Sequence, residues 1–168
     1  ILETDRWNSV YEHQAEDNNQ VIIPIFLNVP APTDLEVTMV DDPSSWFHGF
    51  ENTVTLNVRN NGPGVAVGLL GNNVHFSLNQ LLEPLIDPLL GSKSQGILLQ
   101  SGESVDIALT KLLSGIDIGP YYLVAGTNTA VSIPELNYAN NTNASLAQTT
   151  VDATEIPLND TAYAALNS

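Results

Sequence analysis

Apolar and polar residues alternate in several short runs of this chain. Leu35, Val37 and Met39 alternate with Glu36 and Thr38, and Val54, Leu56 and Val58 alternate with Thr55, Asn57 and Arg59. A period of two sends one set of side chains to a buried sheet face and the other to water, so each run predicts a strand. Val74, Phe76 and Leu78 repeat the pattern, as do Val105, Ile107 and Leu109, and residues 121–125 form a further β-rich run. Turn signals separate them: Asp41-Asp42-Pro43, Asn60-Asn61-Gly62-Pro63-Gly64, Gly91, Ser101-Gly102-Glu103 and Gly115. Residues 78–90 are rich in Leu, but Pro84 and Pro88 each remove a backbone donor and clash with the preceding turn. That stretch reads as a long excursion between strands, with a single helical turn at most. Short strands with regular punctuation and no 3.6-residue period read as an all-β sandwich.

An internal repeat organises the chain further. Asn8-Ser9-Val10-Tyr11-Glu12, then Glu16-Asp17-Asn18-Asn19, is echoed by Asn128-Thr129-Ala130-Val131, then Glu135, then Asn140-Asn141. The two Asn-Asn pairs lie 122 residues apart, near the size of one sandwich domain. A strand is expected after each pair, over residues 21–29 and, more weakly, over 144–156. Residues 1–31 thus read as the last hairpin of a preceding repeat, 32–143 as one whole sandwich, and 144–168 as a closing strand and tail. Asn tolerates left-handed backbone geometry, so each pair reads as the corner between two strands, with no ligand needed.

These residues resemble the bacterial CARDB family (cell-adhesion-related domain found in bacteria), a group of immunoglobulin-like modules. The likeness rests on Asp34-Leu35-Glu36-Val37, a strand ending at Asn60-Asn61-Gly62, Ile86-Asp87-Pro88-Leu89-Leu90-Gly91, Leu99 to Ser104, Gly119-Pro120-Tyr121-Tyr122-Leu123, and the run from Asn128 to Asn141. It covers about residues 32–143. The resemblance implies an immunoglobulin-like antiparallel sandwich of about seven strands, with an extra N-terminal strand or hairpin segment. It also implies a tandem, non-catalytic module of large secreted or surface-anchored prokaryotic proteins. Many members carry an acidic residue at the closing hairpin where this chain has Gly126-Thr127, which counts against a cation role for that turn.

Charge narrows the partners. The chain has 168 residues and a formal charge of −15, with only Arg6, Arg59, Lys93 and Lys111 as fixed cations. Scattered cations on a polyanion cannot neutralise phosphates, so nucleic acid and anionic lipid surfaces are poor partners. Charged residues make up 14% and hydrophobic ones 43%, so the acidity reflects missing Lys and Arg around an ample core rather than a disordered acidic tail. No Cys is present, which excludes disulfides and thiolate chemistry. The longest apolar run, residues 21–29, holds Pro24 and Asn28 and falls short of a membrane span, so a soluble protein without membrane insertion is expected. A start at Ile1 without a basic or apolar leader reads as a processed form or an excised piece.

Catalytic chemistry finds little support. His13, His48 and His75 lack ligand spacing, and no Gly-x-Ser-x-Gly elbow occurs. His75 lies opposite the apolar set of its strand and reads as an exposed face residue. Gly62-Pro63-Gly64 with Gly68 is one residue too long for a dinucleotide loop and reads as a strand connection. Trp7, Trp46 and Phe47 offer a sugar-stacking platform on paper, but read better as packing residues near strand ends. Calcium is the one cofactor this oxygen-rich surface invites, through Glu12, Glu16 and Asp17 or through Asp41 and Asp42. Neither cluster has the register of a dedicated calcium loop, so a solvated, loosely ion-attracting surface is the better reading, and no cofactor is expected. Sequons at Asn140, Asn143 and Asn159 are no more than composition gives by chance, but their position fits an exposed, glycosylatable tail.

The main physical oddity is residues 21–29. Val21, Ile22, Ile23, Ile25, Phe26, Leu27 and Val29 are apolar, so the segment should be buried in a groove or between faces. Uncovered, such a strand invites edge pairing. The expected function is therefore structural: an extracellular, cell-surface sandwich repeat or subunit that builds a filament, sheath or adhesive stalk. Its partners would be copies of itself or neighbouring repeats, joined head to tail by strand donation. The alternative is an accessory carbohydrate- or calcium-binding module of a large secreted protein or enzyme.

Overall fold

Backbone N–H and C=O groups that leave water must find partners, and in this chain the alternating runs supply them to one another as strands. The computed structural model describes residues 1–7, 9–14, 16–41 and 43–153, and the chain divides into two units, Ile1–Pro30 and Ala31–Ser168.

The first unit is a small hairpin. Strands β1 (Leu2–Glu3) and β2 (Gln20–Val21) pair antiparallel, with Leu2 opposite Val21, and a 3-10 turn at Glu16–Asn18 leads into β2. The strand expected over residues 21–29 stops at Val21. Residues 22–30 have no regular structure, because among the described residues of this unit no further strand runs alongside to take up their backbone groups.

The second unit contains β3 (Leu35–Asp41), β4 (Ser45–Phe47), β5 (Glu51–Asn60), β6 (Ala66–Ser77), β7 (Leu89–Leu99), β8 (Ser104–Leu112), β9 (Gly119–Thr127), β10 (Thr142–Ala144) and β11 (Thr149–Asp152). One sheet has the order β3-β5-β8 and the other β4-β11-β9-β6-β7, with β10 also on β9. Every pairing between these strands is antiparallel except β11 with β4. The last strand of the large sheet is therefore broken in two. Its halves β10 and β11 line the same edge of β9, and Ser145 holds the break by donating its N–H to the Leu123 carbonyl at 2.8 Å and accepting the Leu123 N–H on Oγ at 3.1 Å. This is an immunoglobulin-like β-sandwich.

The inward faces fill the space between the sheets. Val54, Leu56 and Val58 of β5 and Ile107 and Leu109 of β8 face Leu70, Val74 and Phe76 of β6 and Leu123 and Ala125 of β9. Trp46, wholly buried, meets Phe76 edge-on at 5.6 Å, and Phe76 meets Tyr121 at 5.5 Å. Aromatic edge-to-face packing of this kind adds about 0.5–1.5 kcal/mol per pair beyond area burial.

Four expectations need correction. In β3 the register slips between Val37 and Met39, so Val40 rather than Met39 turns inward and Met39 is 48% exposed. Gly91 is not a turn but part of β7. A Cβ there would lie 2.6 Å from Lys111 Cε, so the glycine lets β7 pass close beneath side chains of β8. Leu78 falls beyond the end of β6 and is exposed. His75 is 4% exposed rather than on an open face. The excursion over residues 78–88 covers it: Phe76 N–H donates to the Pro88 carbonyl, Gln80 Nε2 to the Ser145 carbonyl, and the Asp87 carbonyl lies 3.0 Å from His75 Nδ1. One helical turn does occur there, with Asp87 N–H donating to the Glu83 carbonyl at 2.8 Å.

Candidate functional site

The loop between β9 and β10 is built around three polar side chains. Asn128 stands in left-handed geometry, φ 46°, at the end of β9. Its Oδ1 accepts the N–H groups of Ser132 and Ile133 at 3.1 and 3.2 Å, and its Nδ2 donates to the Ile133 carbonyl and to Glu135 Oε1. Glu135 Oε1 also accepts Asn141 Nδ2 at 3.0 Å, while Oε2 accepts the Leu35 N–H at 2.6 Å. One carboxylate thus ties the loop to the start of β3. In the sequence Asn128, Glu135 and Asn141 stand out only as an echo of the N-terminus, and their common role emerges from the fold.

The Asn-Asn pairs act differently from expectation. Neither pair adopts a positive φ. Instead Asn140 Nδ2 donates to Asp34 Oδ1 at 3.1 Å, and the Asn140 and Asn141 carbonyls accept the Val37 and Thr127 N–H groups. The same contacts bear on the sequons. Asn140 is half-buried, and Asn143 Nδ2 donates to the Val37 carbonyl at 2.8 Å, so the amides a glycan would occupy hold β3 in place. Both belong to the sandwich rather than a tail, because β10 pairs with β9; Asn159 lies outside the described residues.

Among the described residues the proposed calcium ligands do not assemble into a centre. Glu12 is half-buried and the side chain of Glu16 lies outside the described residues, as does Asp42; Asp41 is exposed. Asp17 lines an open polar depression with Glu3, Asp5 and Asn19. Among the described residues no three His, Asp or Glu side chains are grouped to hold a metal ion. In the same hairpin, Asp5 Oδ1 accepts the Ser9 N–H and hydroxyl, and Oδ2 accepts the Val10 N–H. The Ser9 hydroxyl, followed by the two backbone donors, holds the Asp5 carboxyl below the usual carboxylate range.

Of the aromatic trio only Trp46 packs in the core. Trp7 is exposed beneath the Arg6 guanidinium, 5.3 Å from the ring, and Phe47 sits at the rim of a shallow apolar depression with Phe50, the two rings 6.5 Å apart. Among the described residues no helix is long and apolar enough to cross a membrane.

The apolar segment is the most conspicuous surface feature. Val21, Ile22, Ile23, Ile25, Phe26, Leu27 and Val29 are all more than half exposed, with Phe26 at 97%. Among the described residues of the hairpin unit nothing covers them. A surface of this kind is an interaction site or an aggregation liability.

The chain matches no protein-family model, and no curated protein matches it. Among solved structures it is similar to the crystal structure of the CARDB domain of the PF1109 protein from Pyrococcus furiosus, in complex with di-metal ions. The TM-score is 0.51 and the identity 18%, over 74% of this chain and 97% of that one. The solution NMR structure of the same domain gives a TM-score of 0.50 at 18% identity, over 72% of this chain and 96% of that one. A β-glucosidase from Erythrobacter marinus aligns over 71% of this chain but only 16% of its own, at 18% identity and a TM-score of 0.45. The fold is therefore CARDB-like, as the sequence resemblance implied.

Proposed function

We propose that the chain is a non-catalytic structural module, a sandwich repeat or subunit of an extracellular filament, sheath or adhesive stalk. Its mechanism is associative. The observation that carries this reading is the row of seven exposed apolar side chains between Val21 and Val29, in a chain whose sandwich unit has a closed core of its own. Burial of such a row releases about 25 cal/mol per Å² of apolar surface, and an extended backbone can add ladder hydrogen bonds to a receiving sheet. Transfer of this segment to a neighbour is head-to-tail, so the contact propagates rather than closing into a dimer.

Electron microscopy of the purified chain tests the reading against a variant lacking residues 1–30. The full chain should form filaments and the shortened chain monodisperse particles, since every core residue among the described ones lies between Leu35 and Val151. Filaments from the shortened chain would remove the segment from the mechanism.

A second reading has one observation in its favour. The CARDB domain from Pyrococcus furiosus was crystallised with di-metal ions, which favours an accessory cation-binding module. Calorimetry with calcium on the demetallated variant lacking residues 1–30 separates the two, because without the association segment, heat above dilution together with a raised melting temperature belongs to the second reading alone.

A further inference from the structure

The hairpin unit and the closing hairpin of the sandwich share a series of bonds. Leu2 faces Val21 and Glu3 faces Gln20; Ala125 faces Asn143 and Gly126 faces Thr142. Thr4 N–H donates to the Asn19 carbonyl at 2.9 Å, and Thr127 N–H to the Asn141 carbonyl at 2.8 Å. The next residue on each side is left-handed, Asp5 with φ 39° and Asn128 with φ 46°. Its side chain then accepts the backbone N–H four and five residues on: Ser9 and Val10 for Asp5, Ser132 and Ile133 for Asn128. The serine hydroxyl joins in both loops. Residues 2–12 therefore map onto 125–135, with Glu12 on Glu135, and residues 19–21 onto 141–143. The register differs from the echo visible in the sequence: Asp5, not Asn8, is the counterpart of Asn128.

Their surroundings are not alike. Ile133 is 2% exposed, whereas its counterpart Val10 is 61% exposed; Val151, eight residues beyond Asn143, is fully buried between β9 and β4, whereas Val29, eight residues beyond Val21, is 79% exposed. Among the described residues the sheet of the hairpin unit has only the strands β1 and β2.

We infer that residues 1–30 are the closing hairpin of a second sandwich of this fold. Residues 22–29 dock there as its last strand, along the edge of the strand that runs into Leu2. In that sandwich Leu27 and Val29 take the inward places of Thr149 and Val151, while Phe26 and Asn28 face outward like Gln148 and Thr150. This names the partner of the association segment and so rests on the reading above. The partner is a neighbouring repeat of the same kind, and the docking geometry is that of β11 on β9.

Grafting within the full chain tests it. With Trp7→Phe, Trp46 is the sole Trp and reports on the core beside Val151. One graft replaces residues 147–151 with 25–29. A displaced graft replaces them with 24–28, which puts Asn28 in the place of Val151. A third replaces the loop 128–135 with 5–12. The in-register strand graft and the loop graft should unfold cooperatively within about 5 °C of the parent, while the displaced graft should melt about 10 °C lower or more. A strand graft no more stable than the displaced one, or a loop graft that abolishes the transition, would overturn the inference. None of these readouts depends on filaments. If truncation of residues 1–30 abolishes assembly but the grafts fail, this inference falls alone; if the grafts succeed and no filaments form, only the assembly reading falls.

Discussion

Three backbone and side-chain donors converge on the Glu135 carboxylate, from Asn128, Asn141 and Leu35. A carboxylate can only accept, so the site suits it, whereas an amide would turn a donor toward donors. Glu135→Gln is nearly isosteric, yet it should lower stability by about 1–3 kcal/mol, the cost of leaving partly buried donors unmet. Urea unfolding measures this, and a loss below about 0.5 kcal/mol would show that water replaces the carboxylate freely. The related loop at Asp5 is open to solvent, and there the test is titration. Its folded-state pKa is depressed, so the carboxylate's hold on Ser9 and Val10 is complete above the ordinary Asp range and is lost as pH falls through the lowered value. The Val10 amide resonance should move with a midpoint below that of an unstructured Asp peptide. A midpoint at or above the peptide value would contradict the hydrogen-bonding pattern.

At the level of the element, the turn between β5 and β6 is the tightest constraint. A Cβ on Gly64 would lie 1.9 Å from the Ala31 carbonyl oxygen, a backbone atom that cannot swing aside. Gly96 in β7 would meet nothing within 4 Å. Gly64→Ala should therefore cost about 3 kcal/mol or more, and Gly96→Ala should be neutral or slightly stabilising. Thermal melts of the pair check it, and equal effects would mean that the turn relaxes. The same contrast explains what the sequence could show. The alternating runs of β5 and β8 are legible because one face meets the core and the other is more open to water. β7 was not legible: between Leu90 and Ile97 it runs through small and polar residues, with Gly91 as its inward contact, so its pattern mimics a loop. The slip in β3 and the burial of His75 depend on residues far along the chain, Asn57 opposite the bulge and the excursion at residues 78–88, which no local period encodes. The site divides likewise. The apolar excess of residues 21–29 is visible in composition, but the match of Asp5 to Asn128 is hidden by the change of residue type and by loops of unequal length.

For the whole molecule, charge and apolar surface oppose each other. Each chain carries a formal −15, so two copies repel at the range over which their charges are felt, while the exposed side chains of residues 21–29 favour contact. Which one governs assembly depends on screening. The Debye length falls from about 30 Å at 0.01 M salt to about 3 Å at 1 M, which removes most of the repulsion between exposed charges and leaves apolar burial intact. Association through the apolar segment should therefore strengthen as salt rises, and divalent cations should act at lower concentrations than sodium. Sedimentation velocity across that salt range measures it. The full chain should shift to larger species with salt, and Phe26→Asp together with Val29→Asp should hold it monomeric throughout. Assembly that weakens as salt rises would mean that ion pairs hold the contact, and with only four Lys and Arg per chain those pairs would have to centre on Arg6, Arg59, Lys93 or Lys111.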